Sequence, residues 1–97
     1  MNKKPTQLDG LYILEHNYFN DNRGVFSEIW NQEKMLKHDL KNNFNQDNVS
    51  ISKKNVIRGL HFQNQPHAQI KLVRVIKGRV LDVVVDIRKK SKTFGQH

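Results

Sequence analysis

Between Val56 and Arg88 the chain is rich in β-branched residues. The stretch is broken only by Gly59, by Asn64-Gln65-Pro66-His67 and by Lys77-Gly78. Runs this short, bounded by turn formers, fit strands better than helices, so the reading is Val56–Gln63, Ile70–Ile76 and Arg79–Arg88 as strands. Gly59 inside the first suggests a bulge or a close backbone approach, and Lys77-Gly78 a hairpin-like turn. In the last strand Leu81, Val83, Val85 and Ile87 alternate with Asp82, Val84, Asp86 and Arg88. The second set is the face able to carry chemistry.

The rest of the chain follows the same pattern. Leu11–Leu14 reads as a strand, Asn20-Asp21-Asn22-Arg23-Gly24 as a turn of residues that tolerate left-handed backbone, and Val25–Trp30 as a second strand. Asn31 is placed to cap one short helix running to Leu40. Phe44–Ser52 returns to alternation, with Phe44, Gln46, Asn48, Ser50 and Ser52 on one face. Such a polar row is either a solvated surface or a wall of a ligand cavity. Many short strands at close spacing predict an all-β sandwich or barrel, one domain over residues 1–97. Ser91–His97 brings no closing strand, so the expected sheet has an open edge.

Composition narrows the function. The 97 residues suit one small domain, and the absence of cysteine removes disulfides, thiolate metal sites and a thiol nucleophile. No apolar run approaches the roughly 20 residues of a membrane span, and the N-terminus lacks a signal peptide's apolar region. No membrane association and a cytoplasmic location are therefore expected. The net charge of +8 comes from 17 basic against 9 acidic residues, scattered along the chain. No basic helix, zinc-finger spacing or aromatic RNA-binding signature accompanies them, so no nucleic-acid partner is expected. An anionic small ligand needs only a few of these cations.

His61 stands in an apolar stretch with Arg58 before it and Lys71 after it. The ordinary explanation is a buried histidine bonded to backbone. Two neighbouring cations make that awkward, because burying either unpaired is costly. A cavity open to an anion removes the difficulty. A neutral imidazole beside a fixed ammonium suits removal of a proton next to a carbonyl, with the ammonium holding the enolate oxygen. A metal site fits less well. Gln65-Pro66-His67, Lys71 and Gly78 keep a cupin-like metal-site spacing, but Gln65 replaces a histidine and Lys71 the carboxylate. An ammonium repels a cation, so no metal is expected, and Lys71 takes the place of its charge. No serine elbow or phosphate loop is present.

Three segments, "DNRGVFSE", "FNQDNVSISKKNVIRGLHFQ" and "AQIKLVRVIKGRVLDVVVDIRKKSKTFGQ", resemble successive motifs of the dTDP-4-dehydrorhamnose 3,5-epimerase family, in order, from about Leu11 to Gln96. The resemblance implies a cupin-type double-stranded β-helix (a jelly roll), here truncated, acting as a homodimer without cofactor. It implies epimerisation of dTDP-4-dehydro-6-deoxyglucose at C3 and C5, giving dTDP-4-dehydro-L-rhamnose in nucleotide-sugar biosynthesis. By motif position His61 is the proton acceptor and Lys71 the cation near substrate and enolate. Arg58, Arg23, Glu28, Gln46, Asp47 and Asn48 fall on substrate contacts, and Asp82 on a supporting position near the base. The family's chains run to about twice this length, and their second half supplies the proton-donating tyrosine, a role not assignable to Tyr12 or Tyr18. The alternative expectation is a truncated module that binds the nucleotide sugar or dimerises without catalysis.

Overall fold

The computed structural model describes residues 1–97. Its regular structure is mostly strand with one short helix: β1 Asn2–Pro5, β2 Tyr12–Glu15, β3 Phe19–Asp21, β4 Gly24–Phe26 and α1 Gln32–Lys37. The chain divides into two units, residues 1–41 with 79–97, and residues 42–78. All regular elements lie in the first.

β1 and β2 form an antiparallel hairpin, with Lys3 opposite Leu14 and Lys4 opposite Ile13. β1 carries little apolar sequence, and side-chain pairs across the ladder account for its pairing. Lys4 Nζ lies 2.6 Å from Glu15 on one face, and Lys3 Nζ sits 4.4 Å above the Tyr12 ring on the other. Both are diagonal cross-strand pairs. Lys3 also donates to the His38 carbonyl at 2.6 Å, placing a cation at the C-terminal end of α1.

β3 and β4 form a second hairpin, joined by Asn22-Arg23, with Phe19 opposite Phe26. Gly24 takes φ 131°, a backbone that side chains disfavour, which explains a glycine at the close of the turn. The Phe19 and Phe26 rings are tilted at a 6.5 Å centroid separation. Ser27 Oγ donates to the Asn17 carbonyl and His16 Nδ1 lies 3.0 Å from the Glu28 carbonyl. These bonds carry the two arms together beyond the ladder. The expected strand Val25–Trp30 is thus shortened to β4, and β3 occupies residues outside the strands expected from sequence.

The helix starts where its cap predicts. Asn31 is extended, and its side chain accepts from the Lys34 amide at 3.1 Å. It closes at Lys37, short of the expected Leu40. Asp39 adopts φ 65°, while the Asp39 amide donates to Leu36 and the Leu40 amide to Met35. This paired closure, with a left-handed residue between, satisfies the last carbonyls and turns the chain away. Met35 and Leu8 are the buried apolar residues of the protein.

The strands expected over 44–52, 56–63, 70–76 and 79–88 are absent as ladders. Alternation supplies two faces, but a strand requires a paired neighbour for its amides and carbonyls. Their apolar side chains remain uncovered: Ile51 is 91% exposed, Ile57 90% and Leu81 91%. One local expectation in these segments holds, and the hairpin-like turn expected at Lys77-Gly78 does not. Asn64–His67 is a turn closed by the His67 amide on the Asn64 carbonyl at 2.8 Å, and Lys77-Gly78 lies in a bend. With no strands flanking it, that bend does not join a hairpin.

Removing the N-cap tests the helix. Asn31→Ala should cost about 1 kcal/mol, and Asn31→Asp much less, read as midpoint shifts in urea unfolding.

Candidate functional site

The sequence-derived residues divide between the two units. Arg23, Glu28 and Asp82 belong to the first; Gln46, Asp47, Asn48, Arg58, His61 and Lys71 belong to the second.

In the second unit every one of these side chains is exposed. His61 is therefore not the sealed, backbone-bonded histidine of the ordinary explanation. Its ring leans back on the chain. Gly59 has φ 112°, and a Cβ built there would lie 3.3 Å from His61 Nδ1. The strand bulge or close backbone approach expected at Gly59 is absent, and the near neighbour there is the imidazole. Arg58 donates from Nε to Ser52 Oγ at 3.1 Å, and Gln46 Nε2 to Asn48 Oδ1 at 3.3 Å. Gln46, Asn48 and Ser52 belong to the face that alternation made polar, and two of them bond to each other. The hydrogen bonds do not bring His61 and Lys71 together.

In the first unit the two nucleotide-contact candidates are engaged by neighbours. Arg23 grips Asp21 through Nε at 3.2 Å and Nη2 at 2.6 Å, while its amide donates to the other carboxylate oxygen at 2.8 Å. This fork holds the Asp21 carboxyl below its ordinary value, first through the guanidinium and then through the amide. Arg23 is 85% exposed, so water screens the pair and an incoming anion can compete for it. Arg23, Asp21, Gly24, Val25 and Phe26 line an open hollow of about 320 Å³ at the hairpin tip. Glu28 pairs with Lys34 Nζ at 2.6 Å and accepts from Asn31 Nδ2 at 3.2 Å. The Lys34 ammonium is the main reason its carboxyl lies below the usual range.

Asp82 lines a separate open cleft of about 410 Å³ with Leu8, Leu11, Val83, Val84 and His97. The surroundings of Asp82 are the loop between β1 and β2. No three His, Asp or Glu side chains converge as metal ligands would. No helix is long and apolar enough to cross a membrane.

Sequence reading missed Asp21, Asn31 and Lys34 as partners of the candidate contacts. The signals were present: an aspartate two residues before an arginine across a tight turn, and a glutamate six before a lysine at a helix start.

Comparison with known proteins follows the motif order. The sequence profile of the dTDP-4-dehydrorhamnose 3,5-epimerase family matches residues 5–97. A protein of that name from Salmonella typhimurium is 53% identical over 94 residues, covering 94% of this chain and 50% of the relative. One from Methanothermobacter thermautotrophicus is 47% identical over 91 residues, 94% of this chain and 49% of the relative. One from Escherichia coli is 48% identical over 99 residues, 99% of this chain and 52% of the relative. The chain therefore spans about half the length of the curated relatives it matches. No solved structure matches it.

Two substitutions test the local geometry. Gly59→Ala should displace the His61 ring resonances in NMR spectra, whereas Gly78→Ala, strained likewise by a φ of 92° but with nothing within 4 Å, should leave them in place. Asp21→Asn frees the guanidinium and should tighten pyrophosphate binding by a few-fold, measured by titration calorimetry.

Proposed function

The chain belongs to the dTDP-4-dehydrorhamnose 3,5-epimerase family, and from that premise we propose that it carries the proton-abstracting half of a nucleotide-sugar epimerase site. The observation that carries this reading is the exposed imidazole of His61, drawn back against Gly59 inside Arg-Gly-Leu-His. A ketone acidifies the carbon on either side of it. His61 removes a proton from such a carbon, the electron pair moves onto the carbonyl oxygen, and the Lys71 ammonium stabilises the enolate. Arg58 and the Gln46-Asp47-Asn48 face bind the sugar, Arg23 the diphosphate, and Glu28 the nucleoside. Guanidinium suits a diphosphate through parallel hydrogen bonds. The substrate is dTDP-4-dehydro-6-deoxyglucose, inverted at C3 and C5. The scaffold is a cupin-type double-stranded β-helix in a cytoplasmic homodimer, and Asp82 supports the base. The chemistry needs no cofactor, because the substrate's own carbonyl accepts the electron pair.

Inversion also needs a proton delivered to the opposite face. Tyr12 lies under the Lys3 ammonium and Tyr18 stands outside the motifs. A second reading is a module that binds the nucleotide sugar or dimerises without turnover.

Incubation with the 4-keto sugar in D₂O separates the two. Deuterium at C3 or C5 without inverted product is expected for a half-site, and no incorporation favours the binding module. His61→Asn should abolish the exchange and leave nucleotide binding nearly intact; persistence of exchange would mean another base. Lys71→Met should slow exchange by about a hundredfold to a thousandfold. Arg23→Ala should weaken diphosphate binding and leave the intrinsic exchange largely unchanged.

A further inference from the structure

The last strand expected from sequence ends in Asp86-Ile87-Arg88, and neither polar residue has a part in the proton chemistry. Asp86 is nonetheless the one buried charged residue of the protein. Its carboxylate is surrounded by donors. One oxygen accepts from the Arg88 amide at 3.0 Å and from Arg88 Nε at 2.9 Å. The other accepts from Arg88 Nη2 at 2.7 Å, Ser91 Oγ at 2.5 Å and Thr93 Oγ1 at 2.7 Å. Its backbone is engaged as well: the Gly95 amide donates to the Asp86 carbonyl at 2.7 Å, and the Asp86 amide to the Gln96 carbonyl at 3.0 Å. Residues 86–96 thus close on themselves around one carboxylate.

The same donors reach the far end of the sequence. Arg88 Nη2 also donates to the Asp9 carbonyl. Thr93 Oγ1 accepts from the Asp9 amide at 3.3 Å, and Gln7 Nε2 donates to the His97 carbonyl at 2.8 Å. Gly10 makes room for this. It has φ 77°, and a Cβ there would come within 3.2 Å of Arg88 Nη1. The loop so held contains Leu8, 4% exposed, and with Val83 and Val84 it forms the walls of the cleft that holds Asp82.

We propose that residues 86–97 are a clasp, centred on the Asp86 carboxylate, that fastens the Thr6–Leu11 loop and sets the width of the Asp82 cleft, and that its two ends open together when the centre loses its donors. Asp86 is a positioning residue in this device: it orients Arg88 and Thr93, and they hold the loop. The clasp stays shut across ordinary pH. The Arg88 guanidinium, with Ser91 and Thr93 after it, holds the Asp86 carboxyl far below the usual carboxylate range. A lowered value means the stabilisation is complete above about 3.9 and is withdrawn only as acid drives the pH down through the folded value. Arg88 and, behind it, Asp9 are the charged groups that face this centre.

Hydrogen exchange read by mass spectrometry tests the clasp. Asp86→Asn keeps the shape but turns part of the acceptor into a donor. Peptides covering residues 6–11 and 93–97 should then exchange at least tenfold faster, together, while the amides of Met35 in the helix and of Leu40 in its closing turn keep their wild-type rates. Binding of an apolar dye such as anilinonaphthalene sulfonate should rise as Leu8 is uncovered. If one end loosens without the other, or neither changes, the clasp is overturned. Should Asp86→Asn loosen every peptide alike, Thr93→Val decides. It removes one hydroxyl at nearly constant volume, and it should loosen the same two peptides by a smaller factor. A uniform or null response to Thr93→Val overturns the proposal.

Discussion

A carboxylate taken out of water is costly unless donors replace the solvent it loses. In this protein that constraint falls on Asp86. Its solution is local and complete: a guanidinium two residues ahead, hydroxyls five and seven residues ahead, and the amide of Arg88. Because the guanidinium and one hydroxyl each reach Asp9 as well, satisfying one buried charge also joins residues 79 and 84 positions apart. The first unit, with Leu8 and Met35 as its buried apolar residues, is organised by hydrogen bonding as much as by hydrophobic burial.

Other bonds of the first unit share this character. Lys3 links β1 to the last carbonyl of the helix, and the His38 ring lies 3.0 Å from the Met1 carbonyl. Glu28 ties the segment after β4 to the helix start through Asn31 and Lys34. Arg23, by contrast, stands at an exposed hairpin tip with Asp21 as its partner. The second unit contrasts with this. Its chemistry-bearing residues stand exposed, with local bonds between Arg58 and Ser52 and between Gln46 and Asn48. His61 and Lys71 are both exposed to solvent.

What was readable from sequence was short in range. Asn31 caps the helix because a side-chain oxygen three residues before Lys34 can reach its amide whatever lies elsewhere. Within the Asn20–Gly24 stretch that read as a turn, Asn22-Arg23 make it and Gly24 closes it at φ 131°. Asn64–His67 closes within four residues. β1 was not legible, since Asn-Lys-Lys-Pro has no apolar alternation, and its pairing rests on Glu15 and Tyr12 across the ladder. β3 hid among residues that read as turn and loop.

The residue order alone determined family membership, the identities and spacing of the candidate base, cation and anion contacts, and the caps and turns, because each depends on chemistry within a few positions of the chain. Only the tertiary structure decided which β-branched runs acquire neighbours, since a ladder is a relation between distant segments and alternation in one segment cannot supply its partner. It also decided that Asp86, on the face of the last expected strand that could carry chemistry, is buried while Arg88, itself exposed, closes over it. The carboxylate is satisfied there by groups that sequence distance would never have brought to Asp9.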